Sequence, residues 1–269
     1  MAQAQVTRGD LITGLRGLGV RAGDVVFVHA SLSRFGHVEG GARTVIEALL
    51  AAIGPSGTLA MPSFTFGLRE EAAPVFDVRH SPCWTGRTYE LFRTEVATHR
   101  SHHATHSVCA AGPQAAALTA NHGPAPCGAT SPFRKLAAWG GGLLLLGVGH
   151  NSNTTFHAVE EQEQLPYFPL RQHPHVTIID EEGRAHPLPT LLHAPTRRYD
   201  FNRMNASLWE AGLQREAFIG DSLVRYLNAG DMFEHVVQAV RRDPEALVEL
   251  GGQRLQIPVG RVEGQMVYA

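Results

Sequence analysis

The sequence predicts an α/β fold in which helices flank a largely parallel sheet, and three observations carry this. Residues 143–146 are four consecutive leucines with glycines on both sides, Gly142 and Gly147. A short apolar run bounded in this way reads as a strand buried on both faces. Residues 24–29, 42–53 and 58–61 read as strand, helix and strand. Such a β-α-β unit implies parallel strands joined by a right-handed crossover. After the leucines, Gly147 and Gly149 let the backbone turn sharply into a helix expected at 154–164.

The elements follow in chain order. Residues 7–20 read as a helix, with Thr7 as N-cap, Leu11, Ile12, Leu15 and Leu18 on one face and Gly19 as the stop. The strand at 24–29 ends in His29, and a loop leads to Gly41. The helix at 42–53 turns Val45, Ile46, Leu49 and Leu50 inward, and Gly54-Pro-Ser-Gly57 precedes the strand at 58–61. A long loop is expected from Pro62 through Pro82. Next come a helix at 89–94 capped near Thr88, a polar loop at 99–107 and a short strand at 108–111. Helices are expected at 114–121 and 131–138, the latter with Pro132 at its first position. Asn151, Ser152 and Asn153 are good N-caps for the helix that follows the leucine strand. Residues 171–180 alternate and end in a strand-like run, and Glu181-Glu-Gly183 is a hairpin turn. Residues 184–210 are polar and mixed, and are expected to form a lobe over the site. An apolar segment at 221–227 and helices at 232–241 and 244–250 complete the chain. With no internal repeat and no linker, residues 1–269 are read as one domain.

Composition narrows the function. The chain of 269 residues is 43% hydrophobic and 18% charged, which supports a sizeable core and argues against disorder. A formal net charge of −2 argues against a nucleic-acid partner. No stretch approaches the ~20 apolar residues of a membrane span, and the N-terminus lacks the apolar core of a signal peptide. Cys83, Cys109 and Cys127 are too few and too scattered for a disulfide framework or a cysteine-based zinc site. Together these predict a soluble, reduced, cytoplasmic protein.

The stretch from Gly140 to Glu163 holds the chemistry. A strand, a glycine turn and a helix N-terminus place unpaired N–H groups and a favourable dipole in front of whatever docks there. His157 and Glu160, three residues apart, share one helix face a turn further in. A histidine beside a carboxylate is a candidate general base with its orienting partner. The bland alternative is a surface His–Glu pair on a capped helix.

Five motifs, in order along residues 25–170, resemble the aminoglycoside 3-N-acetyltransferase family, also called the antibiotic N-acetyltransferases. They are Val28-His-Ala-Ser-Leu-Ser33 with Gly36 and Gly40-Gly41; Gly54-Pro-Ser-Gly-Thr-Leu with Met61-Pro-Ser-Phe; Arg100-Ser-His-His with His106-Ser-Val; Thr130-Ser-Pro-Phe-Arg-Lys-Leu; and Leu144-Leu-Leu-Gly-Val-Gly with Asn153-Thr-Thr-Phe-His-Ala-Val-Glu160. Each is weak alone, and five in register are specific. The last hundred residues match only loosely, and Ala104 stands where the family often has proline. The resemblance implies a mixed central sheet, so the expected architecture is a three-layer α-β-α sandwich around a mixed, largely parallel sheet with a loop-rich lobe. It also implies acetyl-coenzyme A as acetyl donor, an amine of a 2-deoxystreptamine antibiotic as acceptor, and His157 as catalytic base.

Acyl transfer from a thioester to an amine needs a deprotonated amine, donors for the developing oxyanion, and two substrates held together. His157 serves the first need and Glu160 fixes its tautomer. Thr154, Thr155 and Phe156, with the N–H groups at the helix start, are expected at the thioester. Ser31, Leu32 and Ser33 follow a strand's carboxyl end, where α/β folds place ligands, and are expected to hold the coenzyme; a plain β-α turn is the alternative. Arg100, Ser101, His106 and Ser107 are read as a cluster reaching a phosphate. His29 is expected near the reacting groups, or else is a hydrogen-bonded core histidine. The cationic acceptor calls for acidic residues, with Asp77, Glu70, Glu71, Glu160, Glu161 and Glu163 as candidates, although a run such as 160–163 is usually a solvated face. No metal is expected, and the protein is expected to be a monomer or homodimer. Two other readings stand beside this one. His99, His102, His103 and His106 suggest a metal-dependent hydrolase, but H-E-x-x-H is missing. A non-catalytic coenzyme A-binding module is the other.

Overall fold

A computed structural model describes residues 5–269. Its centre is a nine-stranded mixed sheet. In chain order the strands are β1 (Val25–Ala30), β2 (Thr58–Pro62), β3 (His99–Arg100), β4 (Val108–Ala111), β5 (Gly142–Leu146), β6 (Gln214–Ile219), β7 (Ser222–Asn228), β8 (Pro258–Val262) and β9 (Gln265–Tyr268). Across the sheet they run β9-β8-β7-β5-β1-β2-β4-β3, with β6 on β7. β1 lies between β5 and β2 and is parallel to both. The flanks are antiparallel, β7 on β5 and β4 on β2. The β-α-β unit at 24–61 and the leucine strand are therefore the parallel heart of the sheet.

Alternation along these strands feeds two cores. Val26, Val28, Leu144 and Leu146 face helices α1 (Arg8–Leu18), α2 (Gly41–Ile53) and α3 (Arg87–Glu95). Phe27 and Leu143 point the other way, toward α4 (Ala115–Thr119), α5 (Pro132–Ala138), α6 (Thr155–Gln162) and α8 (Ala229–Arg242). All four leucines of the run are buried, so each face of β5 contributes to a core. A short helix, α7 (Asn205–Glu210), precedes β6. His29 shares the face of Phe27, and their rings sit 5.1 Å apart.

Capping explains the sharp element ends. Thr7 and Asp10 form a reciprocal capping box at α1, and Gly19 closes it in the left-handed region at φ 107°. Ser131 caps α5 ahead of Pro132.

Several elements depart from expectation. The loop at 62–82 contains a strand, Val75–Asp77, which pairs in parallel with Thr177–Ile179 and through it with Ala185–Pro187. Leu170–His173 and Thr190–His193 form a second small antiparallel pair. Residues 244–250 are not a helix: the Leu247 carbonyl accepts from Asp200 N–H and Glu249 N–H donates to Arg198, so tertiary pairing draws this segment out. The polar segment at 99–107 is largely buried rather than solvated. Ala104, in the proline position, packs with Phe76, Val78, Val176 and Ile178.

Candidate active site

A cleft of about 290 Å³ opens at the carboxyl ends of the parallel strands, where α/β sheets commonly bind ligands. His29 and Ala30 come from the end of β1, Pro62 from the end of β2, and Val148 and residues 151–154 from the turn after β5. Phe64, Phe66, Tyr89, His106, Tyr199 and Phe201 complete much of its wall. His157 faces it from the first turns of α6.

His157 is fixed on every side. Its Nδ1 lies 2.5 Å from a Glu160 carboxylate oxygen. Glu160 is fully buried, whereas the histidine side chain keeps 14% exposure toward the cleft. A carboxylate at Nδ1 selects the tautomer with hydrogen on that nitrogen and leaves Nε2 as an acceptor. The imidazole stacks on Phe168 at 4.9 Å and 12°, with Tyr199 and Phe201 edge-on at 5.1 and 5.0 Å. The pair is thus a buried, oriented dyad rather than a surface pair.

The turn that carries α6 is tied to the opposite wall. Residues His150–Ser152 form a single 3-10 turn. Asn151 accepts from Phe201 N–H at 2.7 Å and donates to Asp200, and its own N–H donates to Asn202. These bonds hold Tyr199 and Phe201 against His157. At the helix start, however, the N–H groups of Thr155, Phe156 and His157 are taken, and only that of Thr154 is left without an acceptor among the described residues. Asn153 Oδ1 accepts from Thr155 N–H, the Asn153 carbonyl from Phe156 N–H, and the Thr154 carbonyl from His157 N–H. Thr155 and Phe156 are wholly buried, Phe156 stacked on Phe201, and of that trio only Thr154 lines the cleft.

The other expected residues divide. His29 and His106 reach the cleft wall. His29 is buried and its Nε2 has no hydrogen-bond partner among the described residues. Burial pushes its pKa down to about 3, so the ring is neutral. His106 packs between Phe64, Phe66 and His193, and burial holds it well below the usual imidazole range. Ser31 and Ser33 share a hydrogen bond at 3.2 Å in the 3-10 turn Leu32–Phe35, next to Ala30 but outside the cleft wall. Arg100, Ser101 and Ser107 do not offer a phosphate site. The Arg100 guanidinium donates to Ser107 Oγ and to the carbonyls of Ser63, Val78 and Ser81, and it stacks on Phe76. Burial lowers its pKa to about 10. Ser101 Oγ accepts from Val108 N–H and pairs with His122. This cluster pins β3 and β4 to the loop after β2.

The histidine-rich segment does not converge either. His99 is exposed beside Thr98, His102 pairs with Glu181, His103 with the Pro124 carbonyl, and His106 turns into the cleft. The acidic candidates are equally dispersed: Glu163 pairs with Arg241 and Asp77 with His80, and Glu70 and Glu71 are exposed. None of these four lines the cleft.

Sequence reasoning missed a second dyad. His193 Nε2 lies 2.7 Å from Glu161 Oε1, which also accepts from Cys127 N–H at 2.8 Å. The His193 ring lies 4.8 Å from that of His157. Burial pushes the Glu161 carboxyl up to about 8 and holds His193 well below its ordinary value. A lone histidine in a polar, mixed segment gives no spacing signal. The aromatic walls were equally hidden, because Tyr89, Tyr199 and Phe201 meet only in the tertiary fold.

A model of the aminoglycoside 3-N-acetyltransferases matches residues 27–241, well past the motifs that end near residue 170. Over 90% of its length, and 90% of the relative's, the chain is 34% identical to aminoglycoside N(3)-acetyltransferase IV of Salmonella sp. The chain belongs to the aminoglycoside 3-N-acetyltransferase family. It is an N-acetyltransferase. Its fold is similar to that of a histidine-to-alanine mutant of aminoglycoside acetyltransferase AAC(3)-IVa in complex with a gentamicin, at TM-score 0.80 and 33% identity over 93% of each chain. It is also similar to AAC-IIIb in a binary complex with CoASH, at TM-score 0.77 and 25% identity over 89% of this chain and 97% of that one.

Proposed function

We propose that the protein transfers the acetyl group of acetyl-coenzyme A to the 3-amino group of a 2-deoxystreptamine aminoglycoside, with His157 as general base, and so gives resistance to the antibiotic. The observation that carries this is the His157–Glu160 dyad at the cleft, its Nδ1 on a buried carboxylate and its other nitrogen left as an acceptor. Family membership, a relative solved with a gentamicin and another solved with CoASH support the choice of substrates.

In this mechanism the amine nitrogen attacks the thioester carbonyl carbon as His157 Nε2 takes its proton. The C–N bond forms, the carbonyl oxygen carries the charge of the tetrahedral intermediate, and the C–S bond then breaks. The coenzyme leaves as thiolate and receives the proton from the imidazolium. Glu160 stabilises that imidazolium while it exists. His29, neutral and unpaired, stands on the same wall and is assigned to contact the reacting groups. Ser31, Leu32 and Ser33, which follow Ala30 of the cleft wall in sequence, are assigned to the coenzyme arm. Phe66, exposed on the cleft wall, offers an aromatic face to a cationic acceptor, an attraction worth ~0.5–2 kcal/mol.

Incubation with acetyl-coenzyme A and a 2-deoxystreptamine antibiotic tests the reading. Release of free thiol with one acetyl group on nitrogen 3, located by NMR, is expected. Thioester hydrolysis without acetylated product contradicts it, as does absence of coenzyme binding in calorimetry.

A further inference from the structure

Beside the dyad lies a donor set that acetyl transfer does not use. Cys127 Sγ, a Glu161 carboxylate oxygen and a His193 ring nitrogen all lie within 4.8 Å of one another. They come from three separate segments: the loop ahead of α5, helix α6, and the strand Thr190–His193 of the lobe. We propose that these residues form a site for a borderline-soft divalent cation, zinc foremost, which fastens the loop and the lobe strand to the catalytic helix.

Four observations converge on this. The ligand types are a thiol, an imidazole and a carboxylate, a set that suits zinc and not calcium or magnesium. Tetrahedral zinc with bonds of ~2.0–2.3 Å holds its donors roughly 3.3–3.8 Å apart, so donors within 4.8 Å of one another close on that geometry by shifts of about 1 Å. Glu161 Oε2 is buried and has no hydrogen-bond partner among the described residues, while Oε1 is already shared by Cys127 N–H and His193. Space is kept beside Oε2 by a glycine: a Cβ at Gly128 would lie 3.5 Å from that oxygen and 2.9 Å from the Ala125 methyl. Charge closes the case. A thiolate and a carboxylate out of water are each costly, and a dication neutralises both. On binding, the cation takes the place of the thiol and carboxyl protons, which pass to solvent, so no other reactant is needed.

The cation is placed as a clasp and not as a reactant. His157 is not among its ligands, yet the His193 ring stands 4.8 Å from it. Holding His193 therefore holds one wall around the base.

The test reads metal directly and is independent of turnover, so its failure leaves the acetyl-transfer reading untouched. The protein is dialysed against chelator and titrated with zinc or cobalt(II). One equivalent is expected, with a thiolate-to-cobalt charge-transfer band and a rise in Tm. Cys127→Ser should lose the band. Glu161→Gln, which keeps an acceptor for Cys127 N–H, and His193→Asn should each weaken zinc binding by more than the ~10–100-fold cost of losing an outer partner. Cys83→Ser should bind as the parent does. Should Cys127→Ser fail to fold, Glu161→Gln alone decides. Absence of stoichiometric metal overturns the proposal. So does a band that survives Cys127→Ser, or equal binding by parent and Glu161→Gln, which would mark an adventitious ion on surface histidines.

Discussion

Three residues apart on a helix, a histidine and a glutamate usually meet in water and contribute little. Burial changes that at positions 157 and 160. Glu160 is fully enclosed and meets His157 Nδ1, and the imidazole is held in one tautomer between Phe168, Tyr199 and Phe201. Glu160→Gln removes the charge that stabilises the imidazolium but keeps the shape. We expect turnover to fall while coenzyme affinity stays, and to fall less than when the base itself is removed; steady-state kinetics with calorimetry separates these. Unchanged turnover in a folded Glu160→Gln would remove Glu160 from the mechanism. His29 makes a second residue-scale test. Its buried, unpaired Nε2 on the cleft wall has no structural partner to lose. His29→Ala is therefore expected to stay folded and to lose rate or coenzyme affinity, and retention of both would return it to the core.

At the scale of elements, the active helix owes its position to the turn before it. Asn153 accepts from Thr155 N–H through its side chain and from Phe156 N–H through its carbonyl. Asn153→Ala should cost about 1 kcal/mol, the usual loss of a cap, measured by urea unfolding. Gly147 ends the leucine strand at φ 66°, and a Cβ there would lie 2.6 Å from Arg34 Cβ and 2.7 Å from Ser222 Oγ. Gly147→Ala should cost more than ~1 kcal/mol through strain and overlap together. These elements were legible because their signals are local. Leucines 143–146, the glycines after them, the β-α-β unit and the dyad spacing need no knowledge of the fold. What was not legible depends on partners far along the chain. Val75–Asp77 is a strand only because Thr177–Ile179 pairs with it, and β6, β8 and β9 belong to antiparallel flanks with mixed polar faces. Arg100 reads as a phosphate ligand until four protein oxygens are seen to surround its guanidinium. His193 and Glu161 become a pair only when the strand Thr190–His193 meets α6.

For the whole molecule, buried histidines set the response to acid. Burial lowers His29 and His150 to about 3 and His103 to about 4. An unfolded histidine titrates near 6.5. Between those values the unfolded chain binds protons that the folded chain refuses. Their contribution to stability is complete above about pH 6.5 and is lost as pH falls toward the folded values. Each such histidine adds ~1.4 kcal/mol per pH unit inside that window. Glu161, whose carboxyl burial pushes up to about 8, works the other way over the same range, but the histidines outnumber it, so urea midpoints should drop from pH 7 to pH 5. A midpoint that does not change over that range would show that these rings are charged or exposed. Among the described residues, no helix is long and apolar enough to cross a membrane.

The central claim is that His157 takes the proton of the acceptor amine, and turnover of His157→Ala tests it most directly. General-base catalysis is worth ~10²–10⁴-fold, so thiol release in the presence of a 2-deoxystreptamine antibiotic should fall by about that factor. Coenzyme affinity measured on the same preparation should stay at the parent value, because the base does not hold the donor. A folded His157→Ala protein that acetylates the antibiotic at near the parent rate would contradict the account.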